Sequence, residues 1–98
     1  MSFYQQIVAR TKEAATPTEY EINLLSENIR RKIRTAAIRG EPAVVINTRS
    51  DHFRSPSQGG KRVRSSAFDS ALRAALSSIR EEGFAVKHPA EGVEITWG

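Results

Sequence analysis

An apolar stripe of helical period leads directly into a short run of β-branched residues in the first half of the chain. Thr16, Pro17 and Glu19 form a helix-start signal, in which a capping threonine precedes a proline and a glutamate follows three residues after the cap. The stripe consists of Ile22, Leu25, Ile29, Ile33 and Ala37, spaced three or four residues apart. Gly40 predicts the end of this helix, and the run at 43–46 predicts a largely covered strand.

Similar patterns predict two more helices and two more strands. Ser2 and Gln5 have the spacing of a capping box and predict a short first helix. A stripe at Phe68, Leu72, Leu76 and Ile79 predicts a helix that ends at Gly83. The final segment alternates apolar and polar residues, which predicts two strands containing Phe84, Val86 and His88 and then Val93, Ile95 and Trp97, with a turn at 89–92.

The predicted order of elements is therefore α-α-β-α-β-β in one domain that spans residues 1–98. A strand–helix–strand unit of this length implies a crossover that leaves the first two strands parallel, and the C-terminal hairpin adds an antiparallel third. We expect an α+β fold with helices on one face of a three-stranded mixed sheet. The predicted core comprises Ile29, Ile33, Val44, Ile46, Phe68, Leu72, Ile79, Val86, Ile95 and Trp97. We also expect Val45 to point to a thinly covered second face, through which the protein self-associates.

Composition excludes several kinds of site. The chain contains no cysteine, which excludes disulfides, a thiol nucleophile and the common zinc sites. It has no run of about 18 apolar residues and no signal-peptide core, so we expect a cytoplasmic protein without a membrane partner. Asp51 and His52 are the only neighbouring acid and histidine, and no second carboxylate follows to complete a metal site. We expect no enzyme activity, no cofactor and no small-molecule substrate.

The positive charge is concentrated in one long loop, at about 47–65. The net charge is +4, and this segment alone contains five basic residues against one acid, so the rest of the chain balances ten against ten. Its glycines let a backbone approach phosphate oxygens, although GGKRVRSS lacks the spacing of a nucleotide-binding P-loop. Three interpretations remain open, namely a flexible solvated loop, a contact with nucleic acid and a contact with an acidic protein surface.

The nucleic-acid interpretation assigns a role to each basic or aromatic group in the loop. Arginine and lysine would contact phosphates, and the rings of Phe53 and His52 would offer faces on which a base could stack. Arg30 and Arg34 share a face of the second helix and would extend the patch if the loop folds over that helix. The predicted nucleic-acid-binding residues are Arg49, Phe53, Arg54, Lys61, Arg62, Arg64, Arg30 and Arg34. We expect joint replacement of Lys61, Arg62 and Arg64 to weaken binding with little effect on stability.

The segments IRGEPAVVI, EEGFAV and VEITW correspond to a helix ending at a glycine before an apolar strand, a second helix ending in Gly-Phe, and a final strand closing on tryptophan. With this pattern, residues 25–97 resemble small proteins encoded by tailed bacteriophages. The resemblance implies a phage origin, while the long basic loop departs from the pattern. It provides no catalytic residues.

Two classes of function are therefore expected. The first is a small regulatory or accessory protein in the host cytoplasm that binds nucleic acid or another polyanion through the basic loop. The alternative is a virion structural or assembly protein, whose loop and exposed sheet face contact neighbouring subunits.

Overall fold

A computed structural model of the chain describes residues 2–89 and 92–97. The helices are α1 (Phe3–Ala15), α2 (Glu19–Ile38), α3 (Asp51–Arg54) and α4 (Phe68–Glu81). The strands are β1 (Ala43–Ile46), β2 (Ser57–Gln58), β3 (Lys61–Arg62), β4 (Ala85–Lys87) and β5 (Val93–Thr96), and a short 3₁₀ turn covers Ser65–Ala67. The α+β class is confirmed, and the predicted turn at 89–92 lies partly outside the described residues.

Capping boxes start both of the first two helices. Ser2 caps α1 as predicted, and its hydroxyl accepts a hydrogen bond from the backbone N–H of Gln5. The cap of α2 is Thr18, whose partner is Glu21, so the predicted start at Thr16 was two residues too early. The Thr-x-x-Glu spacing occurs twice in this segment, and Thr16 instead donates its hydroxyl to the Lys12 carbonyl at the end of α1.

The core lies between α2, α4 and the sheet. Leu25 and Ile29 of α2, Ile79 of α4 and Ile95 of β5 are completely buried in one cluster. All ten residues of the predicted core belong to this cluster or pack against it, which confirms that part of the prediction. Val44, Ile95 and Val86 lie side by side across the sheet, and all three belong to this core or pack against it.

The sheet has the order β1-β5-β4 and is antiparallel throughout, so the predicted mixed sheet was wrong. β1 and β4 run in the same direction, as a crossover through α4 requires, but β5 lies between them. β5 supplies Val93 and Ile95, which are both buried, whereas β4 has the exposed residues Ala85 and Lys87 on either side of Val86. Of the two strands of the C-terminal hairpin, the one with more buried side chains occupies the central position, where more side-chain surface is buried.

The other face of the sheet is open to solvent. Val45 is 61% exposed, and its neighbours across the strands are Glu94 and Lys87. Val45 therefore points away from the core as predicted. No residue of α1 is buried, so this helix contributes no buried side chain to that face.

The segment predicted as a long loop is folded. Phe53 of α3 is only 2% exposed and Val63 only 4%, and both belong to the core cluster. Gly59 and Gly60 have φ values of +63° and +82°, which match a type I′ turn joining β2 to β3. The two glycines therefore form a tight hairpin turn instead of a pliable phosphate-binding backbone, and the order α-α-β-α-β-β omits α3, β2 and β3.

Candidate nucleic-acid interface

Arg64 is bound to a buried carboxylate. Its Nη2 lies 2.9 Å from Oε1 of Glu21, and its backbone N–H donates to Oε2 of the same residue at 2.8 Å. Nη2 also donates to the Thr16 carbonyl at 2.8 Å. The hydrogen bond from the Arg64 side chain is the main reason why the pKa of Glu21 falls to about 2, and burial of the carboxylate opposes that effect. Arg64 therefore joins the basic segment to the start of α2, and most of its hydrogen-bonding capacity is used within the chain.

Arg30 connects α2 to the end of α4. Its Nη2 lies 2.6 Å from Oε1 of Glu82, and its Nη1 lies 3.2 Å from Oε1 of Glu27. The hydrogen bond to Glu82 raises the pKa of Arg30. Two carboxylates thus offset the charge that was predicted to extend the basic patch.

Aromatic rings in and near the segment have packing roles. Phe53 meets Phe68 edge to face, with 6.0 Å between ring centroids. Because the Phe53 ring is buried in the core, it cannot serve as the stacking surface that was expected. The Arg54 guanidinium lies 5.3 Å from the centroid of Phe68, and Lys61 Nζ lies 5.3 Å from that of Tyr20.

The remaining predicted cations are exposed. They are Arg34, Arg49, Arg54, Lys61 and Arg62. Within residues 2–89 and 92–97, none of them forms an ion pair. Lys61 and Arg62 lie together on the β2–β3 hairpin beside Tyr20, whereas Arg49 lies in the turn after β1 and Arg34 on α2.

A groove runs between α2, β1 and α3 and has a cationic lining that the sequence analysis did not identify. It has a volume of about 290 Å³. Its lining comprises Asn28, Arg31, Lys32, Thr35 and Ala36 of α2, Arg39 and Glu41 between α2 and β1, Val44 and Val45 of β1, and His52 of α3. Ala36 and Val44 are apolar, while Arg31, Lys32 and Arg39 bring three positive charges against the single carboxylate of Glu41.

A second cavity of about 180 Å³ adjoins the groove and shares part of its lining. This cavity is lined by Leu24, Glu27, Asn28, Arg31, His52, Ser55, Pro56 and Ser57. Asn28, Arg31 and His52 border both spaces, so the two form one continuous surface. We call the pair of spaces the α2 groove, and the smaller space its end cavity.

The polar groups of the α2 groove are incompletely satisfied. Arg31, Lys32 and Arg39 form no ion pair in the described part of the chain. The Nδ2 atom of Asn28 is fully enclosed and has no hydrogen-bond acceptor there. Among the described residues that line the end cavity, Glu27 is the one acid, and its carboxylate is bound to Arg30. The α2 groove therefore presents hydrogen-bond donors and positive charge to whatever occupies it.

The residues of α2 that line the groove can be recognised in the sequence by their helical spacing. Asn28, Arg31, Lys32, Thr35 and Arg39 follow one another at spacings of one, three and four residues, which places them along one side of α2. Arg30 and Arg34, the pair predicted to extend the basic patch, lie on the opposite side of α2 from the groove lining. The position of His52 depends on the fold of the 47–65 segment, and no local pattern indicates it.

Other kinds of site find little support among the described residues. No group of three histidine, cysteine or acidic side chains is arranged to hold a metal ion in residues 2–89 and 92–97. No helix in that part of the chain is both long and apolar enough to cross a lipid bilayer. No protein-family model matches the sequence, and comparisons with curated proteins and with solved structures gave no match.

Proposed function

We propose that this protein binds single-stranded nucleic acid along the α2 groove, in a regulatory or accessory role and without enzymatic activity. The main support is that Arg31, Lys32 and Arg39 line one groove and have no ion-pair partner in the described residues. Phosphate oxygens would supply the negative charge that the chain itself does not, and release of counterions from the strand would favour binding.

The shape of the groove favours one strand over a duplex. The basic face of α2 lines a concavity beside β1 and α3, so it cannot enter a DNA major groove as a protruding recognition helix does. Asn28 and Arg39 are separated by about 16 Å along the helix axis. At about 3.4 Å per nucleotide, that distance corresponds to about five nucleotides of a stacked strand.

Binding should depend little on base sequence. Arginine and lysine at the groove rim would contact the backbone, whereas the buried Phe53 ring offers no face to a base. The exposed Lys61 and Arg62 of the hairpin provide a second basic surface and would add affinity for longer strands. The resemblance to phage proteins is the reason to propose a phage origin and action in the host cytoplasm.

A salt titration tests this proposal. Binding of a labelled oligonucleotide to the parent should weaken steeply with salt, and a variant with Arg31→Ala, Lys32→Ala and Arg39→Ala should lose about two units of the log–log slope, since each single-strand phosphate contact contributes about 0.7. The matched control is Arg10→Ala, Lys12→Ala and Lys87→Ala, which removes equal charge from exposed residues outside the groove. Equal slopes for the two triple variants would refute the role of the α2 groove.

The alternative function is a virion structural or assembly role, and exposed apolar side chains favour it as the second candidate. Phe3 is 78% exposed and Tyr4 76%, both in the first turn of α1, and Val45 is exposed on the open sheet face. Self-association through these surfaces would bury them. Sedimentation of the parent beside a variant with Phe3→Ser and Val45→Thr tests this role: a concentration-dependent assembly that the variant abolishes would support it, and a monomer at high concentration would refute it.

A further inference from the structure

The end cavity of the α2 groove is lined by several hydrogen-bond donors. Asn28 and Arg31 come from α2, His52 comes from α3, and Ser55 and Ser57 after α3 carry hydroxyl groups. An arginine offers five N–H groups in a planar fork, and an asparagine amide offers two. The acid in the lining, Glu27, is already bound to Arg30 at 3.2 Å.

Asn28 is the most informative residue of this cavity. Its Nδ2 atom is fully enclosed, but no group in the described part of the chain accepts a hydrogen bond from it. An enclosed donor without an acceptor destabilises a fold. A ligand in the cavity that Asn28 lines would supply such an acceptor once the amide turns toward it.

We propose that the end cavity binds a phosphate monoester, which in the nucleic-acid complex is the phosphate at one end of the strand. The part of this inference that concerns the nucleic-acid strand rests on the proposed function, whereas the binding of the phosphate group does not. A phosphate monoester carries about −1.5 to −2 charge at neutral pH and three terminal oxygens that accept hydrogen bonds. Arg31 matches it as a bidentate donor, and the Asn28 amide and the serine hydroxyls supply the remaining bonds.

The connection between the two spaces determines where along the bound strand the phosphate would lie. Arg31, Asn28 and His52 belong to both spaces, so a strand that follows Lys32 and Arg39 along the groove reaches the end cavity at Arg31. An internal phosphodiester has one charge and only two free oxygens, so it would satisfy fewer of these donors than a terminal phosphate does. The protein would then prefer phosphorylated strand ends, while its binding to the rest of the strand stays independent of sequence.

The experiment compares three oligonucleotides of one sequence, namely a hydroxyl-ended strand, the same strand with a 5′-phosphate, and the same strand with a 3′-phosphate. A hydroxyl-ended strand that is one nucleotide longer controls for added charge. The parent should bind at least one phosphorylated strand about ten-fold more tightly than the longer control, because a charge-assisted hydrogen bond corresponds to about one decade in affinity.

Asn28→Asp tests the cavity itself, because it replaces the amide donor by a carboxylate of the same shape. This variant should lose the preference for a terminal phosphate. Asn23→Asp is the matched control, since it makes the same change at an exposed position of the same helix outside the cavity lining, and it should keep the preference. Arg31→Gln serves as a second variant if Asn28→Asp does not fold, which a thermal melt would show.

A titration with inorganic phosphate alone separates this proposal from the proposed function. In a ¹H–¹⁵N spectrum of the parent, the side-chain amide signals of Asn28 should shift with phosphate in a saturable manner, and those of Asn23 should not. If the amide signals shift but no oligonucleotide binds, the phosphate site stands and the nucleic-acid function fails. If oligonucleotides bind with the expected salt dependence but terminal phosphates add nothing beyond the longer control and the Asn28 signals do not move, the phosphate site is refuted while the function stands.

Discussion

The Arg64 side chain lies against the carboxylate of Glu21, with 2.9 Å between Nη2 and Oε1, although 43 residues separate the two in the chain. Glu21 also accepts a hydrogen bond from the backbone N–H of Thr18, where α2 starts. One buried carboxylate thus completes the helix cap and anchors the basic segment after its hairpin. A single local change at either residue therefore affects both the start of α2 and the position of the 47–65 segment.

Arg64→Ala should destabilise the protein. It leaves the buried Glu21 carboxylate with fewer donors, and we expect a loss of about 1–3 kcal/mol in the free energy of unfolding. Arg62→Ala, two residues away on the exposed hairpin, is the matched control and should change stability by less than about 0.5 kcal/mol. Urea unfolding followed by circular dichroism measures both variants. This result would correct the expectation from sequence that replacing Lys61, Arg62 and Arg64 leaves stability unchanged.

Stability should fall in acid because of Glu21. Its pKa is lowered from 4.5 to about 2 in the folded protein, so the unfolded chain binds the proton more tightly than the folded one. The stabilisation is therefore fully present above pH 4.5 and is lost as the pH falls toward 2; it amounts to about 3 kcal/mol. Unfolding measured from pH 2 to pH 6 should show a shallower decline for Glu21→Gln than for the parent. Parallel pH profiles for the two proteins would contradict the assignment.

Phe53→Ala should show that α3 belongs to the core. The ring is buried against Phe68, so its removal leaves a cavity and should cost about 3–5 kcal/mol of unfolding free energy. Phe53→Leu retains most of the volume and should cost much less. If Phe53→Ala unfolds at the same urea concentration as the parent, α3 does not pack on the core in solution.

The hairpin turn gives a prediction about single glycines. Gly59→Ala should destabilise the protein by about 1 kcal/mol or more, because φ at this position is +63° and a Cβ strains that conformation. Gly59→Asn should cost less, since Asn-Gly is the preferred pair in a type I′ turn. Thermal melts of the two variants provide the comparison, and equal losses would indicate a different turn.

The periodic patterns were sufficient to predict the longer elements and the core. Apolar residues spaced three and four positions apart predicted α2 and α4, and the alternation of apolar and polar residues predicted β4 and β5. These patterns arise because each element buries one face against the same core. Val45 was assigned to the exposed face of β1 for the same reason, and it is exposed. The strand pairing could not be obtained in this way, since the patterns specify which face of a strand is buried but not which strand is its neighbour.

Of the candidate site, the sequence predicted only the overall positive charge. Clustering of arginine and lysine in 47–65 suggested an electropositive arm, but Arg64 and Arg30 have carboxylate partners that are distant in the chain. Phe53 was assigned to a ligand because its short segment shows no apolar period to indicate burial. The groove cations are on one side of α2, and the groove that they line is completed by β1 and α3, which only the tertiary structure brings beside them.

The sequence alone therefore determined the class of the fold, its principal helices, the residues of the core and the excess of positive charge. These features depend on side chains that are close together in the chain, where helix and strand periods fix which residues share a face. The tertiary structure decided that β5 is central, that the basic segment folds onto the core, and which cations remain without an ion-pair partner in the described residues. Those outcomes depend on contacts such as Glu21 with Arg64, whose formation is governed by the packing of the whole chain.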